Sequence, residues 1–185
     1  MSIVAGEAGV DKVIGERSVN RPALALVGHY KYFANQRIQL FGAGEMAFFD
    51  DLSPTEQEKV LRSFAERDVP CLIVSGNATP PDIMKSVCEE FSVPLIQTPL
   101  SSKLFVTHAT VRLEEKMAPY TTVHGTLLDI RGIGTLIRGK SGVGKSECAL
   151  ALIERNHSLV ADDRVRIRLV NDHELIGRLP DMRWW

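Results

Sequence analysis

Two periods organise the hydrophobic and polar positions of this chain. After Ser53-Pro-Thr-Glu56, the apolar residues Val60, Leu61 and Phe64 recur at helical spacing, which predicts a helix running to about Arg67. Ser53 can cap it, Pro54 suits the first helical position, and Glu56 completes a capping box. The runs Val69–Val74 and Val93–Gln97 read as buried strands, each following a helix and opening on a Val-Pro pair. Between them, Thr79 is the expected cap of a helix entered through Pro80, Pro81 and Asp82 and ending near Phe91. Arg37 to Phe41 alternates and reads as an earlier strand that Gly42 and Gly44 end. Ser101 is the expected cap of a long helix that contains His108 and ends near Lys116. Helices and strands take turns, so the pattern predicts an α/β domain with a parallel sheet.

The first stretch is less periodic. Ser2–Val4 and Val13–Ile14 are expected as short strands around the Gly6–Gly9 turn, followed by an apolar run from Ala23 to Val27. The aromatic patch Tyr30-Lys-Tyr-Phe33 suits core or interface packing. Met117-Ala-Pro-Tyr120 breaks the long helix and sets the expected boundary between domains 1–118 and 119–185. Beyond it, Gly125–Ile130 and Thr135–Arg138 pair as a hairpin turned by glycines. A helix over Glu147–Glu154 follows, ended by Asn156-His157, and then a strand over Ser158–Ala161. Val165–Val170 alternates with one polar face, and Asn171-Asp172 turns into Glu174–Arg178.

Composition narrows the classes. The chain has 185 residues, 44% hydrophobic and 24% charged, as in ordinary globular domains, and its net charge of −1 gives no case for nucleic acid or an anionic membrane as partner. No apolar run approaches the roughly 18 residues that span a bilayer, and the start has no basic and apolar signal segment. Cys71, Cys88 and Cys148 form neither a zinc pattern nor a disulfide framework, and are expected as small buried residues in a reducing cytoplasm.

The chemistry centres on Gly139-Lys140-Ser141-Gly142-Val143-Gly144-Lys145-Ser146. The spacing is that of a phosphate loop. Glycines let the backbone turn tightly, successive N–H groups form an anion nest, Lys145 reaches the β- and γ-phosphates, and Ser146 supplies a hydroxyl to Mg²⁺. A strand-like run before it and a helix-favouring run behind it give the context the motif needs. Asp162 and Asp163, about twenty residues on, end a strand where an acidic residue can approach the metal or accept a proton. His124, just before the hairpin, could move a proton or stabilise phosphate, or simply satisfy local hydrogen bonds. Arg138 and Lys140 flank the loop and either add positive field or are solvated. Arg164, Arg166 and Arg168 share one strand face, which suits either an acidic or phosphorylated partner or a solvated surface.

Val123–Ile130, Gly132-Ile-Gly134, Gly139–Glu147 and Leu159–Asp163, with Arg21-Pro22, Arg37–Leu40 and Val69-Pro in the first half, together resemble the bacterial HPr kinase/phosphorylase family over nearly the whole chain. The resemblance implies an N-terminal α/β regulatory domain similar to the first domain of muramyl-peptide ligases. It implies a C-terminal phosphate-loop kinase domain similar to phosphoenolpyruvate carboxykinase. The implied activity is ATP- and Mg²⁺-dependent phosphorylation of a serine on the phosphocarrier HPr, reversed by phosphorolysis with inorganic phosphate to give pyrophosphate. The implied setting is carbohydrate regulation by a cytoplasmic homohexamer. On the matching positions, Lys145 would hold transferring phosphate, Ser146 would bind Mg²⁺, Asp163 would be the acid/base and His124 an active-site residue. Family members continue past the position of Trp185 with a second signature, a Mg²⁺-binding glutamate, a catalytic arginine and helices that contact HPr. The chain is therefore expected to be a fragment or truncated product with an incomplete catalytic domain, ending in an exposed Trp184-Trp185 pair. Two other readings stay open at this point: a nucleotide-binding sensor without catalysis, and a phosphate-loop kinase for another substrate.

Overall fold

The structure, a computed structural model, describes residues 1–170 and 173–180. The Asn171-Asp172 turn and the Trp184-Trp185 pair lie outside the described residues. The chain forms two compact units, the first Met1–Leu113 and the second from Glu114 onward.

The first unit is built on a five-stranded sheet. Strands β2 (Val19–Asn20), β3 (Ile38–Phe41), β4 (Leu72–Val74) and β5 (Leu95–Gln97) run parallel in sequence order, and β1 (Ser2–Ala5) pairs antiparallel with β5 at the edge. Helices α1 (Ala23–Leu26), α2 (Ala43–Asp50), α3 (Pro54–Ala65) and α4 (Asp82–Glu90) contribute to one core with Phe41, Leu72, Val74 and Leu95. Helix α5 (Ser102–Met117) brings Phe105 and Leu113 to a second core with Ile38, Leu40, Cys71 and Ile73. The strand expected over Arg37–Phe41 is β3, and with both faces covered all four of its residues are buried.

The capping box of α3 forms as the sequence predicts: the Ser53 N–H donates to Glu56 Oε2 at 2.9 Å and its hydroxyl to the same oxygen at 2.5 Å. Val60, Leu61 and Phe64 are its buried residues. Ser101 also caps as expected, its Oγ accepting from the Leu104 N–H at 3.4 Å. Two of the helix and strand expectations fail. Thr79 is not the cap of α4: the helix starts at Asp82 behind Pro81, whose ψ is 154°. A residue that precedes proline is pushed out of the helical region, so Pro80-Pro81 keeps Thr79 too far upstream. Val13–Ile14 is not a strand, and the strand instead falls at Val19–Asn20. Gly42 ends β3 as expected, and the Glu45 carboxylate accepts its N–H at 3.1 Å and turns the chain straight into α2, a helix the sequence reading missed. Tyr30 and Phe33 of the aromatic patch pack on Phe64, while Tyr32 is exposed. Burial pushes the Cys71 and Cys88 thiols up to about 12, fitting inert apolar residues. Cys148 departs from that expectation and is exposed.

The second unit holds two three-stranded antiparallel sheets. In one, β10 (Arg164–Val170) lies between β6 (Tyr120–His124) and β11 (Glu174–Arg178). In the other, β7 (Thr126–Ile130) lies between β8 (Ile133–Ile137) and β9 (Ser158–Ala161). Strand β6 was not foreseen. The β7–β8 hairpin turns at Arg131 and Gly132, with φ of 56° and 86°, and Gly132 donates to Asp129 Oδ1 at 2.6 Å. Two successive positive φ values match the twist of a two-residue hairpin. Gly134 lies within β8 and takes no part in the turn. Leu127, Ala161 and Val165 form the core, with Val123, Leu136 and Ile167 packed on them. Among the described residues no helix is long and apolar enough to cross a membrane.

Candidate functional site

The strand register brings the sequence-predicted residues to one end of the second unit. Ile137, the last residue of β8, is opposite Thr126, and Ala161, the last of β9, is opposite Leu127. The segment after β8 and the Asp162-Asp163 pair after β9 thus leave the same end of the sheet. They flank the start of β7 about 10 Å apart, or two strand spacings. The segment after β8 is the glycine-rich loop.

Gly125 fixes how close β6 comes to that end. A side chain there would put its Cβ 2.7 Å from the Ile137 carbonyl oxygen and 3.2 Å from Arg138 Cγ. Only glycine lets the chain pass from β6 to β7 against the last residues before the loop. Its N–H donates to the Asp163 carbonyl at 3.2 Å, tying the β6–β7 junction to the β9–β10 corner. His124 consequently lies beside Asp163, with Nδ1 3.6 Å from Oδ1, and both side chains are more than four-fifths exposed. That is ion-pair range and longer than a hydrogen bond.

The two aspartates are not equivalent. Asp162 Oδ1 accepts the Thr126 hydroxyl at 2.7 Å, and Thr126 is buried. Asp163 takes a left-handed φ of 66°, which turns its side chain away from that contact and toward His124. Asp162 is committed to structure and Asp163 is available. Their place after the strand did not separate them, and only the family resemblance favoured Asp163. Gly125 and Thr126 were also missed, since nothing near them in sequence shows what they touch.

The loop from Gly139 to Ser146 folds back on itself. Gly142 and Gly144 have φ of 79° and 95°, and a Cβ at Gly142 would meet nothing within 4 Å. Gly139 has no positive φ; its role is space, because a Cβ there would lie 3.0 Å from Val143 Cγ1. Gly144 caps helix α6 (Lys145–Ile153), whose N-terminal end carries the partial positive charge that attracts phosphate. Lys145 Nζ donates to the Lys140 carbonyl at 2.8 Å, so the cation stays in the mouth of the loop. Lys140, Ser141, Val143 and Ser146 are exposed. Among the described residues no three His, Cys, Asp or Glu side chains gather as metal ligands. A hard divalent ion here would rest on the Ser146 hydroxyl and phosphate oxygens, which fits Mg²⁺, since that ion is commonly held by few protein groups.

Comparison with known proteins agrees over both units. Residues 1–113 match the family described as HPr Serine kinase N terminus, and residues 115–183 the HPr Serine kinase C-terminal domain. HPr kinase/phosphorylase from Brevibacillus brevis is 43% identical over 98% of this chain and 58% of its own length. That from Bacillus mycoides is 39% identical over 98% of this chain and 59% of its own. The chain therefore spans about three-fifths of the length of these curated relatives. The solved structure of the Hpr(Ser) kinase/phosphatase from Coxiella burnetii matches at 44% identity, covering 33% of this chain and 40% of that one with a TM-score of 0.31, too partial a superposition to bear on the fold.

Proposed function

The chain belongs to the HPr serine kinase family, and on that premise we propose that it carries the phosphate-handling part of an enzyme that phosphorylates a serine of HPr with ATP and reverses the step with inorganic phosphate. The observation that carries this is the His124–Asp163 pair, 3.6 Å apart, at the sheet end from which the phosphate loop also leaves. A phosphate loop alone means nucleotide binding. An exposed carboxylate beside it adds a group that can exchange a proton with an incoming hydroxyl.

In the forward direction Asp163 accepts the serine proton as the serine oxygen bonds to the γ-phosphorus and the bond to the β-phosphate oxygen breaks. In reverse, phosphate oxygen attacks the phosphoserine phosphorus, Asp163 returns the proton to the leaving serine oxygen, and pyrophosphate forms. His124 lies where it can orient the Asp163 carboxylate or, when protonated, offset charge on the transferred group. The backbone N–H groups of residues 139–146 and Lys145 bind and orient the phosphates, and most catalysis of phosphoryl transfer comes from such positioning and charge neutralisation. Mg²⁺ bound at Ser146 would supply further neutralisation of phosphate charge.

The same reading assigns regulation to residues 1–118 and transfer to residues 119–185. It relates the first domain to muramyl-peptide ligases and the second to phosphoenolpyruvate carboxykinase. It places the full-length protein in the cytoplasm as a homohexamer that regulates carbohydrate metabolism, with no nucleic acid or membrane partner. The test is to incubate the natural full-length protein with HPr, ATP and Mg²⁺ and to map the product by mass spectrometry. Phosphoserine on HPr, removed on adding inorganic phosphate with release of pyrophosphate, is the expected result. ATP binding with HPr left unmodified would sink the substrate assignment and favour the nucleotide-sensor reading.

A further inference from the structure

The outer face of the β6–β10–β11 sheet is assigned no role by the mechanism above. Directly opposite residues of an antiparallel pair project to the same side. Arg164 is opposite His124, Arg166 opposite Thr122 and Arg168 opposite Tyr120. On the other flank Arg178 is opposite Arg166 and Ile176 opposite Arg168. The intervening Val165 and Ile167 face the other way, into the core with Leu127. The outer face thus carries four guanidiniums in a strip that begins at His124. Among the described residues of these three strands, Glu174, opposite Val170 at the far end, is the carboxylate that shares this face.

Three properties suggest that the strip is made for an anionic partner. None of the four arginines forms an ion pair among the described residues. Arg166 and Arg168 lie over the Tyr120 ring, at 4.7 and 5.7 Å from its centroid, which holds them in place without neutralising them. Arg168 also donates to the Glu115 carbonyl. Arg166 Nε is buried and has no hydrogen-bond partner among the described residues. A buried cationic N–H without an acceptor is costly, and an acceptor brought by a partner recovers that cost.

The spacing identifies the partner's chemistry. Along β10 the arginines are two residues apart, a repeat of about 6.8 Å over a line about 14 Å long. One small phosphate would need guanidiniums converging on a point. A protein segment carrying several carboxylates can match a line. The line starts at the His124–Asp163 pair, so whatever lies along it has one end at the proposed acid/base. Resting on the reading of this site as a serine phosphoryl transferase, we propose that the arginine strip docks an acidic region of the protein substrate and leads its serine to Asp163.

The test titrates fluorescently labelled HPr with the natural full-length protein and with its Arg166→Gln/Arg178→Gln variant, at about 50 and about 200 mM salt. The expected result is binding about tenfold weaker in the double variant and with most of the salt dependence gone, while ATP affinity is unchanged. The single Arg178→Gln change, on an exposed side chain, is expected to weaken binding about threefold and gives the same readout should the double variant fail to fold. Equal HPr affinity in both variants and the unchanged chain overturns the proposal. So does a loss confined to inorganic phosphate or pyrophosphate, which would make the strip a small-anion site. An unchanged full-length protein that binds ATP but not HPr overturns the parent reading itself, and the docking proposal with it.

Discussion

The two units of this chain invest their residues differently. The first covers both faces of a parallel sheet and satisfies the polar groups it buries. Gln39, wholly buried, donates to the Ala34 and Arg37 carbonyls and accepts from Asn20, each within 2.8 Å. Ser75 and Ser102 hydroxyls pair at 2.8 Å, and Glu45 is claimed by Arg21 and Gly42. Its parallel strands follow one another in one direction across the sheet, so it has no point where strand order reverses and a crevice opens. The second unit has a small core, and keeps its loop, His124 and Asp163 at the surface. Polar groups tied up by protein partners build a scaffold. Groups left to solvent are the ones available to a ligand.

If that contrast holds, function and stability should separate on mutation. Asp163→Asn removes the proposed proton acceptor at an exposed position, and the expected loss in phosphoryl-transfer rate by the full-length protein is about 10²–10⁴-fold. Nucleotide affinity and the thermal midpoint should stay unchanged. Rapid-quench transfer assays and calorimetry measure the two. A change in midpoint comparable to that of a core mutation would mean that Asp163 is structural and that the contrast is false. Phe64→Ala should do the converse. Its ring is fully buried, stacked on Phe33 at 5.0 Å and tilted against Phe41 at 6.1 Å. Losing it should destabilise the first unit by about 3–5 kcal/mol, read as an early transition in denaturant. ATP should still bind at concentrations below that transition, and simultaneous loss of ATP binding would show that the units do not unfold separately.

What the sequence revealed follows the same division. Helix α3 was legible because its cap, its first-turn proline and its apolar face are all local, and all agree. The glycine-rich loop and the helix behind it were legible for the same reason, since their signals are contiguous. Illegible features depend on partners distant in sequence. Gly125 matters because of the Ile137 carbonyl, and Thr126 because of Asp162, 36 residues on. Helix α2 was hidden because its capping carboxylate, Glu45, sits behind two glycines that read as a strand stop. Strand β3 was legible as a strand, but its burial on both faces was not, because the residues that cover it come from distant segments.

Glu45 also gives the finest test of the contrast. It is 6% exposed, and burial by itself would push its carboxyl up. Hydrogen bonds from Arg21 Nε at 2.9 Å and Nη2 at 2.7 Å, with the Gly42 N–H, outweigh burial and hold it below the usual carboxylate range. A carboxyl whose folded value is depressed is protonated more readily in the unfolded chain. Its contribution is therefore complete above the ordinary carboxylate value and is lost as pH falls through the depressed one. Urea midpoints of the chain and of Glu45→Gln, followed from about pH 6 to about pH 3, should converge as acid removes the charge that the variant never had. Other depressed carboxyls, such as Asp82, titrate in both proteins and cancel in the difference. Midpoints that stay a constant distance apart across that range would mean that the Arg21–Glu45 pair is no more committed to the scaffold than the solvated His124–Asp163 pair.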